Sequence, residues 1–214
     1  MDVYLSEEER VEALKKWWKE NSQAVIVGIA VGIAILVGWN TWQNAKLSKA
    51  LEASDLYQQM IKAVDANQPE PAAKLAERIV QQHQGTLYAT YASLFEAKLK
   101  VDANDLAAAK SILSDLLNAE KNPHLKHIIR LRLARVLQGL NDHEGALKLL
   151  ESVSQKESGE FEKLYEEEKG DSYLALKRTD DAKAAFQKAK QMGAQSPLLM
   201  MKLSNLGVTE SDKP

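Results

Sequence analysis

GDSYLALKRTDDAKAAFQKA, residues 170–189, contains two helical-period segments joined by a polar turn. Within it, Gly170, Tyr173, Ala182, Phe186 and Ala189 fall at intervals of 3, 9, 4 and 3 residues. Small residues at the first and third of these points let two paired helices touch, and the large residues between them fill the gap. A pair of this kind cannot bury its apolar face alone, so the pattern must recur along the chain.

It does recur. Stepping back 36 residues places Ala134, Leu137, Ala146, Leu150 and Val153 on the same points, with Leu133 supporting the first helix. A further 37 residues back lie Ala97 and Ala109, followed by Leu113 and Leu116, while Lys100 breaks the third position. One more step reaches Met60 and Ala72 inside a worn helical pair, Leu51–Gln82. Turns recur at Asn104-Asp105 and Asn141-Asp142, with Thr179-Asp180 displaced by one step. This is the spacing of the tetratricopeptide repeat, and strand-like alternation is scarce. The expected fold is all-α, a tetratricopeptide-like helical-repeat solenoid over residues 44–208; an unrelated helical bundle is the alternative. A stack needs a terminal cap, and Pro197–Leu206 offers Leu198, Met201 and Leu206 for that role. Met200-Met201 could instead form an adaptable binding strip. Residues 209–214 are expected to be disordered.

Ahead of the repeats the character changes. No charged residue stands between Glu20 and Lys46, and all four tryptophans flank the run: Trp17 and Trp18 before it, Trp39 and Trp42 after it. At a rise of ~1.5 Å per residue, Trp18 to Trp39 spans roughly 31 Å, the thickness of a bilayer's hydrocarbon core. Indoles favour the headgroup boundary, so these tryptophans read as interfacial anchors of one transmembrane helix, residues 21–43. The chain continues Trp39-Asn-Thr-Trp-Gln-Asn without a small-x-small cleavage site, which favours an uncleaved signal anchor. Ala24, Gly28 and Gly32 form a small-residue face against which a second helix can pack. In the tail, residues 1–20, Ser6-Glu-Glu-Glu9 is a capping-box pattern, and Val11, Leu14 and Trp18 share one face of a short amphipathic helix on the inner membrane surface, a solvated continuation of the span being the alternative. A short tail ahead of such an anchor puts the N-terminus in the cytoplasm and the repeats outside; the charges flanking the span add only a weak bias.

Composition narrows the function. The chain has 28 Lys and Arg against 30 Asp and Glu, and the acidic excess lies in the first 45 residues, so the repeats are formally neutral. A neutral domain has no electrostatic footprint for nucleic acid. Cysteine is absent, so there is no disulfide, thiolate nucleophile or cysteine metal site. No phosphate loop, His-Glu-x-x-His helix or Gly-x-Ser-x-Gly elbow occurs. His124 and His127 share a helix face without an acid or cysteine beside them to complete a metal site. His83 and His143 read as exposed, and Glu166-Glu-Glu168 as a solvated surface with one acid able to face a groove. The expectation is therefore a binding module with no enzyme activity, cofactor or metal. Stacked first helices line the concave side of such a solenoid. That places Tyr91, Leu94 and Lys98 on the first step, Leu131, Arg135 and Gln138 on the second, and Leu164, Glu167 and Asp171 on the third. Some of these positions could instead pack against neighbouring helices. The mixture of apolar groups and both charge signs suits extended or partly folded polypeptide.

The whole order of features resembles the YfgM family. The residues that carry the likeness are Glu20-Asn21, the glycine-spaced span with Gly28 and Gly32, Leu36-x-Gly38-Trp39, Leu131-Arg-Leu-Ala-Arg-Val136 and Met201-Lys-Leu-Ser-Asn-Leu206. It runs from about Val11 to Leu206. Trp17-Trp18 departs from the phenylalanines familiar there but keeps their interfacial character. The resemblance implies an ancillary subunit of the bacterial Sec translocon, anchored in the inner membrane with its repeats in the periplasm. It also implies association with the Sec channel and with PpiD, a membrane-anchored periplasmic chaperone, and help in handing unfolded secretory proteins to folding factors. A link to a cytoplasmic stress-response regulator is attributed to the family as well. No catalytic residue is implied. Two other classes stay open: a regulatory anchor acting through the Val11–Trp18 tail, and a scaffold in another envelope complex.

Overall fold

A computed structural model of the chain describes residues 7–208. The Ser6 capping pattern and the tail 209–214 lie outside the described residues. Contacts divide the chain into two compact units, Met1–Glu52 and Ala53–Pro214. Among the described residues all regular structure is helical. The helices are α1 (Glu7–Asp65), α2 (Pro69–Gln82), α3 (Leu87–Asp102), α4 (Leu106–Ala119), α5 (Pro123–Gly139), α6 (His143–Glu151), α7 (Gln155–Ser158), α8 (Glu162–Ala175), α9 (Thr179–Gln191) and α10 (Pro197–Asn205), with a 3₁₀ turn at Gly159–Phe161 between α7 and α8.

The first unit is the leading part of α1. It contains a stretch long and apolar enough to cross a membrane, none of it buried within the protein.

In the second unit the end of α1 pairs with α2, α3 with α4, α5 with α6, and α8 with α9. Each pair closes through the same turn. Asn67, Asn104, Asn141 and Lys177 adopt left-handed φ values of 57°, 58°, 61° and 60°. The residue after each donates its N–H to a carbonyl five positions back, as Gln68 to Ala63, Asp105 to Lys100, Asp142 to Leu137 and Arg178 to Tyr173. This is the Schellman closure, which satisfies carbonyls that a helix end leaves bare. Asparagine tolerates the left-handed region because its short amide side chain can hydrogen-bond locally. The displaced turn of the last pair is thereby resolved. Lys177-Arg178, not Thr179-Asp180, occupies the equivalent positions, with a lysine held where the earlier pairs use asparagine. Asp105 and Asp142 also cap the helix that follows, accepting from Ala108 N and Gly145 N. Arg178 has no such cap.

Packing follows the small-residue rule. A Cβ built on Gly170 would lie 2.4 Å from Phe186 Cε1, so only glycine admits this ring. Phe186 is fully buried, and burial of a phenylalanine contributes about 2–3 kcal/mol. One pair earlier the same two points are Ala134 and Leu150, both fully buried. A central cluster joins α3, α4, α5, α6 and α8. A second combines Leu56, Met60 and Ala63 of α1 with α2 and α3. A third combines α9 and α10.

The cap forms on a different face from the expected one. Leu199 and Leu203 are buried and Leu206 packs beside them, whereas Leu198 and Met201 are exposed. Ser196 caps the helix by accepting from Leu199 N, and Leu199, Leu203 and Leu206 then repeat at i, i+4 and i+7 on one face. Met200 is also exposed.

Candidate partner-binding surface

The expected groove positions divide by what they touch. On α3, Tyr91 is half-buried with its ring 5.9 Å from Tyr57, which lies 5.6 Å from Tyr88. Lys98 is exposed and paired with Asp102 one turn on. On α5, Arg135 Nε donates to Glu168 Oε1 at 2.6 Å, and Gln138 Nε2 donates to Glu168 O and Ser172 Oγ, each at 2.9 Å. On α8, Leu164 packs on the central cluster. Glu167 accepts from Ser196 Oγ at 3.3 Å, and Asp171 pairs with Lys202 Nζ at 2.6 Å. The polar positions on α5 thus lace it to α8, and those on α8 tie it to α10. Leu94 and Leu131 are 5% exposed and lie within the central cluster. That cluster draws on α3, α4, α5, α6 and α8, and hydrophobic burial claims both side chains.

Other residues read as solvated are inside. Glu166 and Glu168 are each 5% exposed, and Glu162 is buried with them. Lys188 Nζ donates to Glu162 Oε1 and Glu166 Oε1, each at 2.9 Å, and Lys169 Nζ reaches Glu166 at 3.0 Å. Ser158 Oγ also donates to Glu162. Burial raises the Glu162 carboxyl, but the bonds from Ser158 and Lys188 outweigh it and leave the group below its ordinary value. Burial likewise opposes the charge on Lys188, and its two carboxylates outweigh that, holding the ammonium above its usual range. At Glu168 burial wins, and its carboxyl stays raised despite Arg135. The four-residue spacing of Glu162 and Glu166, with Lys169 three further on, was the available signal that they share a face. Nothing local announces that Lys188 of the next helix covers it.

The histidines are corrected too. His83 is buried rather than exposed, and His143, the first residue of α6, is half-buried. His124 is exposed. His127 stacks on Phe161 at 4.9 Å and shares a 2.9 Å hydrogen bond with Tyr165 Oη, which Arg130 also approaches at 3.4 Å. Burial, then the Arg130 charge, lowers the His127 imidazole below its ordinary value.

In the first unit, Trp17, Trp18, Trp39 and Trp42 are all exposed, with the last two rings 5.3 Å apart and Lys46 Nζ 4.2 Å over Trp42. Apart from the neighbouring backbone of α1 itself, nothing lies within 4 Å of a Cβ built on Gly28 or Gly32. Ala24 falls one turn before Gly28 on the same helix.

The family profile of a tetratricopeptide repeat-like domain matches residues 15–208. A relative from Escherichia coli (strain K12), named ancillary SecYEG translocon subunit, is 32% identical over 97% of this chain and 100% of its own length. The chain belongs to the ancillary SecYEG translocon subunit family. A member of this family from Haemophilus influenzae is 31% identical over 96% of this chain and all of its own length. Among solved structures, MamA 41-end from Desulfovibrio magneticus RS-1 aligns with a TM-score of 0.58 at 16% identity, covering 77% of this chain and 86% of that chain. The APC/C hetero-tetramer Cut9-Hcn1 aligns at 0.61 and 23% identity, covering 76% of this chain and 31% of that chain. At these identities the two structures speak for the repeat fold alone.

Proposed function

We propose that the chain is a single-pass inner-membrane adaptor of the Sec translocon. In this reading residues 1–20 are a cytoplasmic tail, 21–43 the anchor, and 44–208 a periplasmic repeat domain. That domain passes emerging secretory proteins to a membrane-anchored periplasmic chaperone of the PpiD kind. The observation that carries the reading is end-to-end similarity to proteins named as ancillary subunits of SecYEG. The apolar part of α1 and the stack of helical pairs supply an anchor and a protein-binding scaffold. The Gly28–Gly32 face is the proposed contact within the membrane.

Extraction of the tagged chain in mild detergent, followed by mass spectrometry of what accompanies it, tests this. Recovery of the channel and a membrane-anchored periplasmic chaperone, lost when Gly28 and Gly32 become leucine, is the expected result. Recovery of a different envelope complex without channel subunits would move the function to a scaffold elsewhere.

A further inference from the structure

The repeat unit holds a groove separate from the positions above. It encloses about 890 Å3 between the end of α2, the first part of α3, the last turns of α4 and the start of α5. Ser93 and Glu96 of α3 line it. By helical geometry they fall on the side of α3 opposite Tyr91 and Lys98, away from the surface that the repeat pattern assigns to partners. Half-buried Ile112 and Leu116 of α4 form an apolar wall.

Charge in the groove is one-sided. Glu96, Asp115 and Glu120 line it against a single cation, Lys121. Glu120 is held in place, accepting from Thr90 Oγ1 at 2.7 Å and from the N–H groups of Lys121 and Asn122 at 2.8 Å. Glu96 and Asp115 have no hydrogen bond or ion pair among the described residues. Burial, then the neighbouring Glu77, pushes the Glu96 carboxyl up, with Lys100 opposing them only partly. The Ser93 side chain points to a ligand independently of the acids. It is 8% exposed, lines the cavity, and has no hydrogen-bond partner among the described residues. The hydroxyl can donate and accept, and a ligand atom in the groove can take the partner that the protein does not supply.

We propose that this groove takes an extended segment of another protein in which a lysine or arginine stands beside an apolar side chain. The apolar group covers Ile112 and Leu116, the cation sits among Glu96, Asp115 and Glu120, and a backbone carbonyl of the segment accepts from Ser93 Oγ. The volume lies within the range of small-ligand sites and admits a few residues, not a folded domain. An acidic segment or an anionic headgroup carries the wrong sign. The inference rests on the adaptor reading only in taking its partner to be polypeptide.

The test uses the full chain in zwitterionic lipid nanodiscs and a fluorescein-labelled peptide, Gly-Ser-Arg-Leu-Arg-Leu-Ser-Gly. Its twin carries glutamate in place of arginine, and anisotropy is read against empty discs. Saturable binding of the arginine peptide is expected, with the twin at least about tenfold weaker. Ser93→Leu fills the groove and abolishes binding. Asp115→Lys, on an exposed position that keeps the fold, weakens it by about tenfold. No binding to the native chain, equal binding of the twin, or native affinity in the folded Asp115→Lys variant overturns the inference. Self-association lost in Asp115→Lys, without peptide binding, assigns the face to a second copy and overturns it too. Channel co-isolation with the same variant separates the two readings. SecYEG recovered without peptide binding sinks only this inference, while a native chain that never recovers SecYEG sinks the adaptor reading.

Discussion

Replacing Gly170 with alanine sets two calculable effects against each other. Alanine in a helix interior gains about 1 kcal/mol over glycine. The new methyl, however, would lie 2.4 Å from Phe186 Cε1 and 2.5 Å from Cδ1. Carbon atoms settle near ~3.5–4.0 Å, so the ring must retreat by roughly 1 Å inside a fully buried cluster. Overpacking of this kind costs about 1–3 kcal/mol, which cancels or exceeds the propensity gain. A net loss of up to about 2 kcal/mol is expected for Gly170→Ala. Phe186→Leu alone leaves a void and loses about 1–2 kcal/mol. The double variant Gly170→Ala/Phe186→Leu reproduces the Ala134–Leu150 pair found one repeat earlier. Its methyl then fills the space the ring vacates, so it should lie within about 1 kcal/mol of the native chain, a coupling of about 1–3 kcal/mol. Urea unfolding of the chain in mild detergent, followed by far-ultraviolet circular dichroism, measures all four corners of this cycle. A Gly170→Ala variant stabilised by the full propensity gain, or strictly additive losses in the double variant, would refute the packing account.

Lys177→Asn should stabilise the repeat unit by about 0.5–1 kcal/mol, because it relieves a lysine held at φ 60°, and the same unfolding curves read it. Leu131→Glu should unfold the second unit or cost it more than about 3 kcal/mol, since an uncompensated carboxylate would enter the central cluster; a native-like melting curve would contradict that burial. The Glu162 carboxyl is lowered on folding, so its contribution is present above the unfolded carboxylate range and lost as pH falls through the folded value. Glu162→Gln should therefore cost about 1–2 kcal/mol at pH 7 and show a shallower loss of stability on acidification, read from melting temperatures across the carboxylate range.

Repetition made the fold legible. Gly170, Ala134 and Ala97 recur where helices must touch, and Asn104 and Asn141 recur where the chain must enter a left-handed turn. Lys177 hid the last turn because it is a residue with no preference for the left-handed region, and the backbone closure from Arg178 N to Tyr173 O forms there all the same. The candidate surface was less legible, since exposure on a helix depends on what stacks against it. Leu94 and Leu131 sit on the first helices as the repeat demands, yet both are buried in the central cluster. Glu162, Glu166 and Glu168 look like a solvated acidic face until Lys188 and Arg135, contributed by other helices, cover them. On α10, alternation between Leu198/Met201 and Leu199/Leu203 left two possible faces, and only the docking of the cap on α9 chooses between them. The groove over Ser93 joins four helices and has no motif of its own.

The placement of the tryptophans has a spectroscopic consequence. Every indole of the chain lies within α1 before Glu52, whereas Tyr57, Tyr88, Tyr91, Tyr165 and Tyr173 belong to the helical pairs. Indole emission therefore follows the surroundings of the first part of α1, while the phenol band is carried mainly by the stack, which holds five of the six tyrosines, Tyr4 being the sixth. One cuvette thus holds two separate reporters, and a ligand that shifts only one of them reveals which unit it has bound.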